Sequence, residues 1–116
     1  MSVETEGKKV MLEAFGVEAV RCDLHDEGDT ILSGEGYEQQ VVGWTYDGVN
    51  IILNADDIEG IVAEFSVPAG TVKYVLFKKT TGEVMAKHDL GVNAETFTNP
   101  GTYQLTEASL ELDPAA

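Results

Sequence analysis

Apolar positions along the chain change their period once, near residue 16. Before it, Val10, Met11, Ala14 and Phe15 fall at helical spacing and share one face. Thr5 reads as the N-cap, and Glu6 lies in the first turn, where the helix dipole favours an acid. Gly16 is expected to end the helix by taking a positive φ. A helix over residues 5–16 is about three turns long and too short to stand alone. It must therefore dock, with Met11 and Phe15 as its contacts, on its own domain or on a neighbouring subunit. Docking on its own domain is the expectation, because the apolar face is otherwise exposed before assembly.

Beyond Gly16 the signal is that of strands. Residues 19–24 place Val20, Cys22 and Leu24 on one face. Residues 37–44 read as a strand with neither face cleanly polar. Asp47-Gly48 is a turn between Trp44-Thr45-Tyr46 and residues 49–53. Residues 61–67 form a strand stopped by Pro68-Ala69-Gly70. Residues 72–77 are apolar except for Lys73 and predict the strand at the centre of the core, with Phe65 and Leu110 in the same core. Thr80-Thr81-Gly82 turns the chain into residues 83–90. Asn99-Pro100-Gly101 separates short strands at 95–97 and 102–105, and residues 109–113 alternate Leu110 and Leu112 with polar neighbours. Asp26-Glu27-Gly28-Asp29 and Asn54-Ala55-Asp56-Asp57 read as loops, and residues 114–116 as a tail. Many short strands with regular turn signals and no helix–strand alternation predict an all-β, antiparallel β-sandwich, jelly-roll-like, with one short N-terminal helix, in one domain spanning 1–116.

Charge narrows the partners more than the fold. The 116 residues are 43% hydrophobic and 24% charged, an ordinary globular balance, but 21 acids face 7 bases and the net charge is −14. Nucleic acid and anionic membranes are thereby disfavoured, because a phosphate surface must be neutralised by Lys and Arg. No apolar run is long enough to span a bilayer, and Met1-Ser2-Val3-Glu4-Thr5-Glu6 lacks a signal-peptide pattern, so synthesis in the cytoplasm is expected. The single cysteine, Cys22, allows neither an intramolecular disulfide nor a multi-cysteine metal site.

No chemistry-bearing constellation survives inspection. Residues 22 and 25 of a strand point to opposite faces, so Cys22 and His25 do not form a nucleophile pair. His25 and His88 with Asp23, Asp26 or Asp89 lack the spacing of a metal motif. The acidic loops Asp26-Glu27-Gly28-Asp29 and Asp56-Asp57-Ile58-Glu59 lack the placed glycine of a calcium loop. Gly34-Glu35-Gly36 lacks a third glycine, and Glu35 repels phosphate. Trp44, Tyr46, Tyr37 and Phe77 are read as core residues rather than a sugar-stacking platform. No catalytic residue, metal or cofactor is expected.

The order of landmarks resembles small tailed-phage virion proteins of the "tail fibre protein-like" type. Those landmarks are the helix Gly7-Lys8-Lys9-Val10-Met11-Leu12-Glu13-Ala14-Phe15, Leu24-His25 at a strand end, and the segment from Ser33-Gly34 through Tyr37 and Gln40 to Trp44. Phe65-Ser66-Val67-Pro68-Ala69-Gly70-Thr71 and Thr96-Phe97-Thr98-Asn99-Pro100-Gly101-Thr102-Tyr103 follow. Glu38 stands where the family commonly carries Arg. The resemblance implies a jelly-roll sandwich and a non-enzymatic virion role. With no shaft repeats or heptads in the chain, decoration of the outer capsid surface is favoured over a tail or tail-fibre component or a receptor- or carbohydrate-binding module. The implied partners are the major capsid protein, or tail proteins, and further copies of the chain. If residues 72–77 and 83–90 pair as a hairpin, Lys73, Lys78, Lys79 and Lys87 form one basic patch, the candidate contact together with Met11 and Phe15.

Overall fold

The computed structural model describes residues 4–111 as an all-β, sandwich-like fold with one helix at its N-terminal end. Residues 112–116, including Leu112 of the expected last strand and the expected tail, lie outside the described residues. All strand pairing is antiparallel. A four-stranded sheet runs β2 (Gln40–Val41), β1 (Arg21–His25), β7 (Tyr74–Lys78), β8 (Val84–Asp89). Facing it, β5 (Ala63–Val67) pairs with β10 (Gly101–Leu105). Two further ladders complete the body: β3 (Trp44–Asp47), β4 (Ile52–Ala55) and β11 (Ser109–Glu111), and β6 (Gly70–Val72) with β9 (Glu95–Phe97).

The expected central strand is found, but the run 72–77 is divided. Lys73 is the point at which the chain leaves β6, paired to β9, and enters β7, paired on both sides by β1 and β8. Val75, Leu76 and Phe77 are buried. Cys22, Leu24, Val75 and Phe77 pack against Ala63, Phe65 and Val67 of β5 and Tyr103 and Leu105 of β10. Alternation along β5 sends Ala63, Phe65 and Val67 inward and Glu64 and Ser66 outward, as period two requires. Leu110 is only half-buried and lies outside this cluster.

Several boundaries move. The expected strand 37–44 is not one strand, which explains its lack of a polar face. Gly34, Glu35 and Gly36 all have positive φ, at 93°, 52° and 81°, and coil the chain. Tyr37 then stacks on Phe65 instead of joining a ladder. Asn54 and Ala55, read as loop, belong to β4. The Asp47-Gly48 turn is a longer loop whose Asp47 carboxylate accepts the N–H groups of Val49 and Asn50, while Ile51 takes φ 54°.

The helix α1 runs Thr5–Glu18, so Gly16 does not end it, and Glu4 rather than Thr5 is the N-cap. The helix docks on its own domain and Phe15 is a contact, as expected, but the rest of the docked face differs. Leu12 is fully buried, Ala19 closes the helix in the core, and Phe15 packs edge-on against Trp44 at 5.4 Å. Val10 and Met11 are 64% and 50% exposed. Gly16 is needed for close approach: a Cβ there would sit 3.3 Å from Leu53 Cδ1 and from Trp44 Cβ. Gly16→Leu is therefore expected to push α1 off β3 and β4 and to destabilise the fold by about 1–3 kcal/mol. Thermal melting checks this, and a variant that melts like the parent contradicts the docking.

Candidate functional site

The hairpin that was to gather the four lysines is present. Lys79 N–H donates to Glu83 O and Gly82 N–H to Lys79 O, both at 2.9 Å, and Gly82 takes φ 100°. The lysines nevertheless do not form one free patch. Lys73 and Lys87 meet over the ring of Tyr74, at 5.9 and 4.3 Å from its centre, while Lys78 and Lys79 lie at the other end of β7. Each also reaches a carboxylate of its own chain. Lys73 pairs with Asp89 at 3.2 Å, Lys78 with Asp23 at 3.0 Å, Lys79 with Glu18 at 3.8 Å, and Lys87 with Asp29. Only Lys8, Lys9 and Arg21 stand outside these pairs, against a large excess of acids. Met11 is exposed on α1, and Phe15 is half-buried against Trp44.

One of these pairs is internal. Asp23 is 1% exposed, and the Lys78 side chain is 13% exposed. Cross-strand register sets Asp23 opposite Leu76 on the face of the sheet away from Cys22 and Phe77. Its Oδ1 accepts the Tyr37 hydroxyl and its Oδ2 the Gln39 amide, both at 2.7 Å. The Tyr37 hydroxyl in turn accepts the Leu24 N–H at 2.7 Å. Burial works against the charge of Asp23, but Gln39, Tyr37 and Lys78 outweigh it and hold its carboxyl below the usual range. Burial likewise raises the Tyr37 hydroxyl above its ordinary value. This network is structural, and sequence reading passed over it because nothing in a strand reading Arg-Cys-Asp-Leu-His marks which face will be covered.

Other candidate groups are dispersed. His25 lies opposite Tyr74 and His88 opposite Val75, so the two histidines sit on opposite faces of one sheet. His25 Nδ1 bonds Asp29 Oδ1 at 2.9 Å, and its Nε2 is buried without a partner. Asp26 Oδ1 accepts the N–H groups of Gly28 and Thr30, so this acidic loop is folded around its own backbone. Among the described residues, no cluster of His, Cys, Asp and Glu has the arrangement of a metal site. Trp44 Nε1 donates to Ala19 O at 2.8 Å and its ring packs edge-on to Phe77 at 5.0 Å, a packing role rather than a sugar platform. Burial, aided by the neighbouring Asp23, pushes the Cys22 thiol up to about 12. Thiol reagents at pH 8 are accordingly expected to leave Cys22 unmodified until denaturant is added. Stoichiometric labelling of the native chain contradicts that burial.

A groove of about 490 Å³ lies among the described residues. Its floor includes Phe15, Trp44, Val75 and Phe77. Ala86, Lys87 and His88 of β8 flank one side, and Leu105, Glu107, Ala108, Ser109 and Leu110 the other. Sequence reading singled out Phe15, Trp44 and Phe77, but not that β8 and β11 bracket them. That placement is set by long-range topology, which no local pattern encodes.

Comparison with protein-family models, curated proteins and solved structures returned no match.

Proposed function

We propose that this protein is a non-enzymatic structural component of a tailed-phage particle, a decoration protein on the outer surface of the capsid. The order of landmarks from Leu24-His25 to Gly101-Thr102-Tyr103 supports the virion reading. The observation that carries the outer surface is the charge distribution. The net charge is −14, and four of the seven bases are turned inward or sideways onto carboxylates of the same chain. Such a body is repelled by packaged DNA and is compatible with solvent on the outside of a shell. The neutralised lysines shift the proposed shell contact away from a basic patch. They leave the exposed apolar stripe of α1, Val10, Ala14 and Val17, at helical spacing opposite the docked Leu12, as its best candidate. Heads and tails separated from purified particles test this reading by mass spectrometry, with surface biotinylation of intact particles alongside. The chain is expected in the head fraction and labelled from outside. Its presence in tails transfers the assignment to the tail, and absence from both removes the virion reading.

A further inference from the structure

The groove is bounded by two open strand edges. β8 ends the order β2-β1-β7-β8 and β11 ends the order β11-β4-β3, and among the described residues neither has a strand on its outer side. Backbone parity identifies the groups left over. Leu90 N–H donates to Lys73 O at 2.8 Å in register with the β7–β8 ladder. The peptide groups of His88 and Ala86 therefore face β7, and those of Lys87 and Asp89 face outward. Ala55 N–H donates to Ala108 O at 2.8 Å, so Leu110 faces β4 while Ser109 and Glu111 face outward. Lysine is the usual guard of an open edge, but here Lys87 is drawn to Asp29 and the Tyr74 ring. Two unpaired edges beside a floor of Phe15, Trp44 and Phe77 are the arrangement to which an extended segment adds as a strand.

We propose that this groove accepts a β-strand from a different protein, lying between β8 and β11. Its alternate side chains are apolar and directed at Trp44 and Phe77, and the intervening positions carry Lys or Arg. Charge complementarity selects this occupant. Glu107 lines the groove and Glu111 follows Leu110 on β11. Neither carboxylate has a cation within 4 Å among the described residues, while Lys87 across the groove is paired with Asp29. A second copy carries the same −14 charge, and its large core side chains are already committed to its own sandwich. The inference stands whether or not the protein is part of a virion.

The probe is an acetylated, amidated heptapeptide, Lys-Val-Lys-Ile-Lys-Val-Lys, set against Glu-Val-Glu-Ile-Glu-Val-Glu. Trp44, the only tryptophan, reports binding by fluorescence, and amide hydrogen exchange reports where it occurs. The basic peptide is expected to give a saturable change in emission. It should also slow exchange about tenfold or more at Lys87, Asp89, Ser109 and Glu111, with the acidic peptide binding about tenfold more weakly or worse. Ser109→Pro removes one outward N–H without touching the β4 ladder, and is expected to weaken binding about tenfold. Should that variant melt early, the exposed pair Glu107→Lys/Glu111→Lys carries the same test by reversing the preference between the peptides. Absence of a saturable change with the basic peptide, equal binding of the acidic one, or protection at neither edge overturns the proposal.

Discussion

Asp23→Ala is expected to be among the most damaging single substitutions in this chain, at about 3–5 kcal/mol. It strips the partner from Lys78 and leaves the Tyr37 hydroxyl and Gln39 amide without their acceptor in a largely dry setting. Lys78→Ala should act in the same range, by leaving the Asp23 charge buried without its cation. The apolar double replacement Asp23→Leu/Lys78→Met is expected to cost less than either single change, because the desolvation penalty goes with the pair. The same carboxylate sets a pH dependence of defined sign. Its folded pKa is depressed relative to the ordinary value of 3.8. Its stabilisation is therefore fully present above 3.8 and is lost as pH falls through the lower folded value. Denaturant melts between pH 7 and pH 2 should show stability falling below pH 4, and Asp23→Asn should flatten part of that fall. Equal slopes in parent and variant contradict the network.

Phe65→Ala is the second large effect, at about 3–5 kcal/mol. Phe65 is fully buried, stacks on Tyr37 at 5.9 Å and leans on Tyr103 at 6.5 Å. It joins the β5–β10 ladder to the segment that supplies the Tyr37 hydroxyl, so its loss reaches the Asp23 network as well. Folding free energies of small domains are about 5–15 kcal/mol, and this change removes a large part of such a margin. Phe77→Ala should fall at the lower end of the range. Phe77 is 6% exposed and lines the groove, so water can enter part of the space it vacates. Guanidinium melts of both variants give the order, and a Phe77→Ala more damaging than Phe65→Ala reverses the placement of the core.

Local rules carried the fold further than they carried the site. β5 was legible because Ala63, Phe65 and Val67 alternate cleanly with exposed residues. The β7–β8 hairpin was legible from Thr80-Thr81-Gly82. The helix was legible as a helix, yet its buried face was misread in part. Phe15 docks as expected, but Val10 and Met11, apolar enough to dock, stay exposed and Leu12 is buried in their place, with Gly16 giving the close approach to Leu53 and Trp44. Propensity and periodicity describe what a residue is, whereas docking depends on which backbone arrives opposite. The lysines illustrate the same limit. Their clustering was readable in sequence, but their neutralisation was not, because Asp23, Glu18, Asp29 and Asp89 reach them through tertiary structure. The two open edges of β8 and β11 beside one groove were invisible for the same reason.

The most direct test of capsid decoration is rebinding. Purified protein is mixed with undecorated heads and, separately, with tails, and bound protein is measured by cosedimentation. Val10→Glu/Val17→Glu, which alters only exposed positions of α1, is run beside the parent. Saturable binding to heads, none to tails, and weakening by about tenfold in the α1 variant are expected. Binding to tails but not to heads, or to neither, contradicts the assignment.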